Sequence, residues 1–445
     1  MACRDRLIRP YRAWKRTRKP YSVSRIPWPT FSNSSTRTTE YGPRNTKHKT
    51  PLMHKFLLLM VLWLVGCGTA VAPSTGVSTA VPTPSPSPTP LPTDLTGDQP
   101  VVPLFDSPAY GIHISQWWQL DALDRDLKLA QEMGFGWIKQ TFSWRDVEGY
   151  GKGQYDWFRP DVIVESVENA GLQLVVRIDH QPLWSVRSLP DEKITPNQPP
   201  VDYQDFADFC GVLATRYKGR IAAYQVWNEP NLSREWGNEA PDPAAYTELL
   251  KVCYEAIKAA DPDAIVISAG LAPTGTQPPD AMPDTDFLQG MYDAGAGGYF
   301  DALGVHAPGY KAPPETSADA VAASYEYGQG RWFAFRHVED MRAIMVANGD
   351  GAKQVAIMEM GWILNQEMHP SYTWHGVSEA EQADYLVRAY QYAQENWQPW
   401  IGLMTTIYMA DANWTPEENE QWWWAIVLPD GTPRLAYAAL SAMPK

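Results

Sequence analysis

The sequence predicts a single α/β domain, a (β/α)8 barrel, and three observations carry that expectation. Over about 345 residues from position 101 onward, short β-rich runs alternate with amphipathic helical runs, eight times in series. No second Pro/Ser-rich break divides this stretch. No Gly-rich phosphate turn follows an early strand, as a doubly wound sheet would favour.

The strands are expected at 111–115, 137–142, 172–179, 222–228, 264–269, 302–306, 354–359 and 401–409. They are apolar, partly β-branched and too short for helices. Between and after them, periodic runs predict helices at 120–133, 160–170, 203–217, 243–260, 287–294, 331–348, 378–396 and 434–442. Asp242 followed by Pro243, and Ser378 with Glu381 three positions later, are helix-start signals. The segments 190–200, 273–286, 311–330 and 365–377 are left as loops shaping a cleft.

Ahead of the barrel lie three different compositions. Residues 1–52 are basic and poor in periodic apolar pattern, and read as a disordered leader or a start placed too far upstream, with Met53 as the true start. Residues 53–66 have a charged beginning and an apolar run, Phe56 to Val65, too short to span a bilayer and matching a signal-peptide core. The run ends Leu64-Val65-Gly66-Cys67, which resembles the lipobox of bacterial lipoproteins. That resemblance implies cleavage before Cys67, lipidation of Cys67, and an exported protein held on a membrane by a lipid anchor. Residues 67–100 include TPSPSPTPLPT, a composition that favours extended polyproline and suits a tether.

Charge separates the same regions. Residues 1–66 hold 14 Lys+Arg against Asp5 and Glu40, whereas the remainder holds 23 basic and 49 acidic residues. So acidic a body repels phosphate backbones, which excludes nucleic acid as its partner. Seventeen of the 20 Trp lie in the acidic part, a composition suited to stacking on sugar rings. Cys210 and Cys253 fall in consecutive helical patterns. Export permits a bridge between them, but the simpler reading is two buried thiols. No His/Cys/Asp/Glu spacing suggests a metal, no cofactor is expected, and a monomer is the expected state.

In a (β/α)8 barrel chemistry sits at the C-terminal ends of the strands. The fourth strand ends in Glu229 after AAYQVW, and the seventh in Glu359 after QVAIM. A carboxylate closing a buried strand is costly to desolvate without partners or work. Two of them on facing strands suit glycoside hydrolysis, which pairs a protonated acid with an ionised carboxylate. The other rim residues are Asn228, Lys139, Arg177, His180, His306, Tyr310, Trp362, Tyr408 and Trp414. Asp411, Glu235 and Glu239 read as solvated loop charges, and at least one of Trp422, Trp423 and Trp424 as core.

The segment Tyr224-Gln225-Val226-Trp227-Asn228-Glu229-Pro230-Asn231 resembles the Asn-Glu-Pro signature of clan A glycoside hydrolases. Ala356-Ile357-Met358-Glu359-Met360-Gly361-Trp362 is similar to that clan's strand-seven nucleophile segment. Trp144-Arg145-Asp146-Val147-Glu148, followed by Gly153-Gln154-Tyr155-Asp156-Trp157, is similar to a stretch found after strand two. The resemblance spans about residues 108–440 and is closest to families 39 and 5 and cellulase-like relatives.

It implies Glu229 as acid/base, Glu359 as nucleophile, and Asn228 as donor to the sugar 2-hydroxyl; from their places on the rim, Lys139, His180, His306, Tyr310, Trp362 and Trp414 are the candidates for substrate contact. Glu148 reads as structural. The chain departs from the pattern in three places. The Arg expected near the end of strand two is absent, leaving Lys139 and Arg177 as nearest cations. Tyr310 stands for the tyrosine expected on the nucleophile, and Tyr408 for a tryptophan on strand eight. The expected activity is a retaining β-glycosidase. A surface transglycosylase shares every catalytic residue, and a non-catalytic sugar-binding barrel would be expected to lose a carboxylate.

Overall fold

The computed structural model describes residues 94–186 and 197–445. The leader, the signal segment, Cys67 and almost all of the Pro-rich tether lie outside the described residues, as does 187–196, which includes most of the segment 190–200. Eight parallel strands close into a barrel in sequence order, with β1 pairing β8. They are β1 (Ala109–Ile114), β2 (Trp137–Ser143), β3 (Gln173–Asp179), β4 (Ala223–Val226), β5 (Ile265–Ile267), β6 (Ala302–His306), β7 (Gln354–Met360) and β8 (Ile401–Met409). The barrel helices follow in turn: α1 (Leu123–Glu132), α2 (Phe158–Asn169), α3 (Tyr203–Arg216), α4 (Pro243–Ala260), α5 (Asp284–Asp293), α6 (Val338–Ala347), α7 (Glu379–Asn396) and α8 (Leu435–Ala442). Every expected strand and helix is present, with shifted ends. The run from 331 begins as two 3-10 turns, and α6 proper starts at Val338.

The caps expected from sequence are made. Asp242 accepts from the backbone N–H of Ala244 and Ala245, and Ser378 with Glu381 forms a reciprocal capping box. Among the described residues no helix is long and apolar enough to cross a membrane.

Strand parity explains the core. On β3, Val176 and Ile178 face the helices, while Val175 joins Ala223, Ile267, Ala356, Met358 and Leu403 inside the barrel floor. Arg177 and Asp179 share the parity of Val175 and climb from that floor toward the mouth. Lys139 on β2 has the same inward parity, between the outward Ile138 and Phe142. The opposite end of the barrel is covered by the chain entering it. Gln354 Oε1 accepts the N–H of Leu104 and Phe105 at 2.8 and 2.9 Å, and the buried Arg342 donates to Leu95 O, Gly351 O and Lys353 O. Packing against the barrel thus extends to residues before 101.

Strict alternation fails on β7, to functional effect. Val305 pairs with Ile357, yet the next residue, His306, pairs with Glu359, so β7 carries one extra residue at Met358. Pairing with β8 shows the same slip, Ile357 to Met404 and then Met360 to Thr406. A bulge of this kind re-aims a side chain, and here it turns Glu359 into the mouth.

Cys210 and Cys253 are disulfide-bonded, which corrects the reading of two free thiols. The bond ties α3 to α4, whose packed faces bring the two Cα atoms within 5.5 Å.

Candidate active site

Glu359 is 15% exposed in its side chain and is met by cations from two neighbouring strands. Lys139 Nζ reaches Glu359 Oε1 at 2.9 Å and also donates to Met358 O at 3.0 Å. Arg177 Nη1 lies 3.3 Å from the same carboxylate oxygen and 3.0 Å from Asn228 Oδ1, while its Nε is 2.8 Å from the buried Asp179. Tyr408 Oη approaches the other oxygen at 3.4 Å. Burial would raise the Glu359 carboxyl, but Lys139 first, then His306 and Arg177, hold it well below the usual carboxylate range. Lys139 is itself pulled down to about 8 by burial, against the pull of Glu359. Burial and the Lys139 charge hold the His113 imidazole well below its ordinary value, so His113 packs beside the pair as a neutral ring.

Glu229 comes from a strained turn. β4 ends at Val226, and Trp227 (φ 73°) and Glu229 (φ 41°) occupy the left-handed region that costs non-glycine residues energy. The backbone is held there by Trp227 N–H to Ile178 O at 3.0 Å and Glu229 N–H to Gly270 O at 3.1 Å. His306 Nδ1 sits 2.9 Å from Glu229 Oε1, and His306 Nε2 sits 3.9 Å from Glu359 Oε1. One imidazole therefore spans both carboxylates. Gly270 makes room for it, since a Cβ there would lie 2.2 Å from the His306 ring.

The other Glu229 oxygen, Oε2, takes Arg234 Nη2 at 3.2 Å. Burial would raise the Glu229 carboxyl, but the His306 hydrogen bond and charge, then Arg234, outweigh it and lower it. An acid holding its proton near neutrality, as the sequence suggested, is therefore not what the empty site presents. Asn228 is buried beside this pair. Because Arg177 can only donate, the Asn228 oxygen must face it, which leaves the amide N–H groups for a ligand.

These groups line a cavity of about 540 Å³ with Leu232, Glu235, Ala272, Pro273, Thr274, Pro308, Tyr310, Tyr372, His375, Ile407, Tyr408, Glu420, Gln421 and Trp424. Asn228, His306 and Tyr310 line it as expected from sequence, and Lys139 supports it from beneath through Glu359. The other expected residues lie elsewhere. Tyr310 does not touch Glu359: its hydroxyl donates to Pro273 O at 3.3 Å, and Tyr408 is the tyrosine on that carboxylate.

Trp362 is fully buried and donates to Ala312 O at 3.0 Å, so its ring is wall interior rather than cavity surface. Trp414 packs edge-on against Tyr408, ring centroids 5.3 Å apart, and His180 pairs with Asp179; neither lines the cavity. Glu235, read as a solvated charge, lines the cavity and accepts from Asn197, and burial raises its carboxyl. Glu148 is buried, receiving Trp144 Nε1 and Gly153 N, both at 2.6 Å. Tyr372 and His375 come from the expected cleft loop 365–377, and Pro273 and Thr274 from 273–286, whereas 311–330 contributes no lining residue. Among the described residues no group of three or more His, Cys, Asp and Glu could hold a metal ion.

The fold and site define a class: a (β/α)8 barrel whose mouth holds a glutamate pair, one in the turn after β4 and one on β7. No protein-family profile matches the chain, and no curated protein matches its sequence. Solved structures do match it. A family 39 glycoside hydrolase from the gut symbiont Bacteroides cellulosilyticus WH2 aligns with a TM-score of 0.54 and 19% identity over 77% of this chain and 64% of that one. A glucosidase from Croceicoccus marinus gives 0.53 and 14% over 77% and 68%. GH5_18 from Streptomyces cattleya, solved with GlcNAc, gives 0.52 and 14% over 76% and 79%. The chain thus spans 64% of the length of the family 39 enzyme, and what it shares with all three is the fold.

Proposed function

We propose that this chain is a retaining β-glycoside hydrolase that cleaves O-glycosidic bonds of an oligo- or polysaccharide. The observation that carries the reading is the placement of the two glutamates on either side of one imidazole at the barrel mouth. Glu359 is kept ionised by Lys139 and Arg177, as a nucleophile must be, while Glu229 stands across one imidazole from it at the end of β4. The barrels it resembles include a glycoside hydrolase of family 39 and a glucosidase.

In the first half-reaction Glu359 attacks the anomeric carbon while Glu229 gives its proton to the leaving oxygen. A glycosyl ester forms on Glu359 as the glycosidic C–O bond breaks. In the second, Glu229 takes a proton from water, which attacks the anomeric carbon and frees Glu359. Asn228, oriented by Arg177, donates to the sugar 2-hydroxyl, a bond that strengthens as charge develops on the ring. The test is turnover of aryl β-glycosides and polysaccharides by Glu359→Ala and Glu229→Ala, with and without azide. Glu359→Ala is expected to lose all substrates. Glu229→Ala is expected to keep activated aryl substrates and regain rate with azide. Near-normal hydrolysis of natural glycosides by both variants contradicts the reading, and products elongated on an added acceptor sugar assign transglycosylation instead.

We propose further that the protein is exported and lipidated at Cys67, as a monomer on a Pro-rich tether. The Cys210–Cys253 disulfide supports an oxidising compartment. Cys67→Ser is expected to release the protein from membranes; unchanged attachment and processing contradicts the anchor.

A further inference from the structure

The two oxygens of Glu229 are held from opposite sides. His306, 3% exposed in its side chain, approaches Oε1 from within the barrel, and Arg234, 66% exposed, covers Oε2 from the solvent side. A leaving group enters from solvent, so the oxygen it needs is the one beneath the guanidinium. Arg234 lies in a single 3-10 turn, Ser233–Glu235, directly after the strained end of β4. Its Nε is 3.8 Å from Glu235 Oε1, so a second carboxylate stands ready to keep the cation once it leaves Glu229. Resting on the glycosidase reading above, we infer that Arg234 is a gating residue: it caps the solvent-side oxygen of Glu229 in the empty enzyme, and the leaving group must displace it before Glu229 can protonate the glycosidic oxygen.

The gate removes one of the two groups that keep Glu229 ionised, Arg234, and leaves the other, His306, in place. The groups facing Glu229 are His306 from β6, Glu359 from β7, Arg234 and Glu235 from the turn after β4, Tyr310 after β6, Tyr372 after β7 and Tyr408 on β8. Arg234 is the most exposed cation among them and the one a ligand can move. Once it swings away, one of the two groups that hold Glu229 ionised is gone: burial and Glu359 favour protonation, and the His306 hydrogen bond alone opposes it. The proton comes from water and passes to the leaving oxygen as the C–O bond breaks.

The pH profile of kcat/KM reports the free enzyme and that of kcat the loaded one. Arg234→Ala is therefore expected to move the alkaline limb of kcat/KM upward by about 1 pH unit while the alkaline limb of kcat stays in place. Arg234→Lys, which keeps the charge, is expected to restore the original kcat/KM limb. A merely structural role would lower rates at every pH without moving one limb alone. Movement of both limbs together, or of neither, overturns the gate.

A readout independent of turnover uses infrared difference spectra of the ligand-free protein. The Glu229 carboxyl band, identified by its loss in Glu229→Gln, is expected to titrate higher in Arg234→Ala than in the wild type. An unmoved band overturns the capping. A moved band in a protein that hydrolyses no glycoside refutes the glycosidase reading and the displacement with it, but leaves the capping in place.

Discussion

Lys139 Nζ and Glu359 Oε1 meet at 2.9 Å although the two residues are 220 positions apart, on β2 and β7. With β1 and β8 lying between those strands, only a long side chain aimed across the mouth can make the contact, and inward parity aims it. Lys139→Met leaves Glu359 buried without its main cation. A carboxyl whose value is held down supplies its ionised form above that value and loses it as pH falls through it. Removing Lys139 raises that threshold. The acid limb of kcat/KM is expected to move up by ~1–3 pH units, with kcat/KM at neutral pH falling ~100-fold. An unmoved acid limb would show that Lys139 does not hold the Glu359 charge.

Gly270→Ala tests the seat of His306. The new Cβ would lie 2.2 Å from the imidazole, and the Gly270 carbonyl is fixed by the Glu229 N–H at 3.1 Å, so the ring must yield. The expected result is a folded protein destabilised by ~1–3 kcal/mol, with kcat/KM reduced ~10–100-fold. Unchanged activity would mean that the bridging position of His306 has no part in the reaction.

The disulfide makes a stability prediction. Cys210→Ala with Cys253→Ala is expected to cost about 2–4 kcal/mol, and reductant is expected to lower the wild-type Tm to that of the double variant. Two free thiols at these positions in the oxidised protein would contradict the bond.

His337 is buried between Asp284 and Asp340, at 2.9 and 2.8 Å. Burial alone would lower the imidazole, but the two aspartates outweigh it and raise it to about 10. A raised histidine contributes stability that is complete below its unfolded value of about 6.5 and is lost as pH rises toward 10. His337→Gln is expected to cost ~3 kcal/mol at pH 6 and clearly less at pH 10. Equal loss at both pH values, measured by denaturant unfolding, would show that the ring carries no charge in the fold.

The eight strands were legible as short apolar runs, and Glu229 and Glu359 as carboxylates closing two of them, because these are local features. What resisted reading depends on contacts across the barrel or on loop geometry. The extra residue at Met358 has no local signature, yet it decides that Glu359 faces the mouth. Arg234, Glu235, Tyr372, His375, Glu420 and Gln421 reach the cavity from loops whose courses their sequences do not dictate. Trp362 follows the β7 carboxylate closely enough to look like a sugar platform, but its indole is drawn into the wall by Ala312 O. Tyr408 stands on Glu359 where Tyr310 was expected, because the Tyr310 hydroxyl is taken by Pro273 O. Cys210 and Cys253 sit on consecutive helices, and only the helix packing shows them close enough to bond.

The central claim is that Glu359 forms a bond to the sugar while Glu229 does not. An activated 2-deoxy-2-fluoro glycoside slows both half-reactions, and its good leaving group lets the ester form faster than it hydrolyses, so intact-mass measurement reads that bond directly. The account predicts a protein heavier by one fluorosugar, with the label mapped by peptide sequencing to Glu359 and absent in Glu359→Gln. A label on Glu229, or no label from any fluoroglycoside whose parent sugar the enzyme hydrolyses, would contradict it.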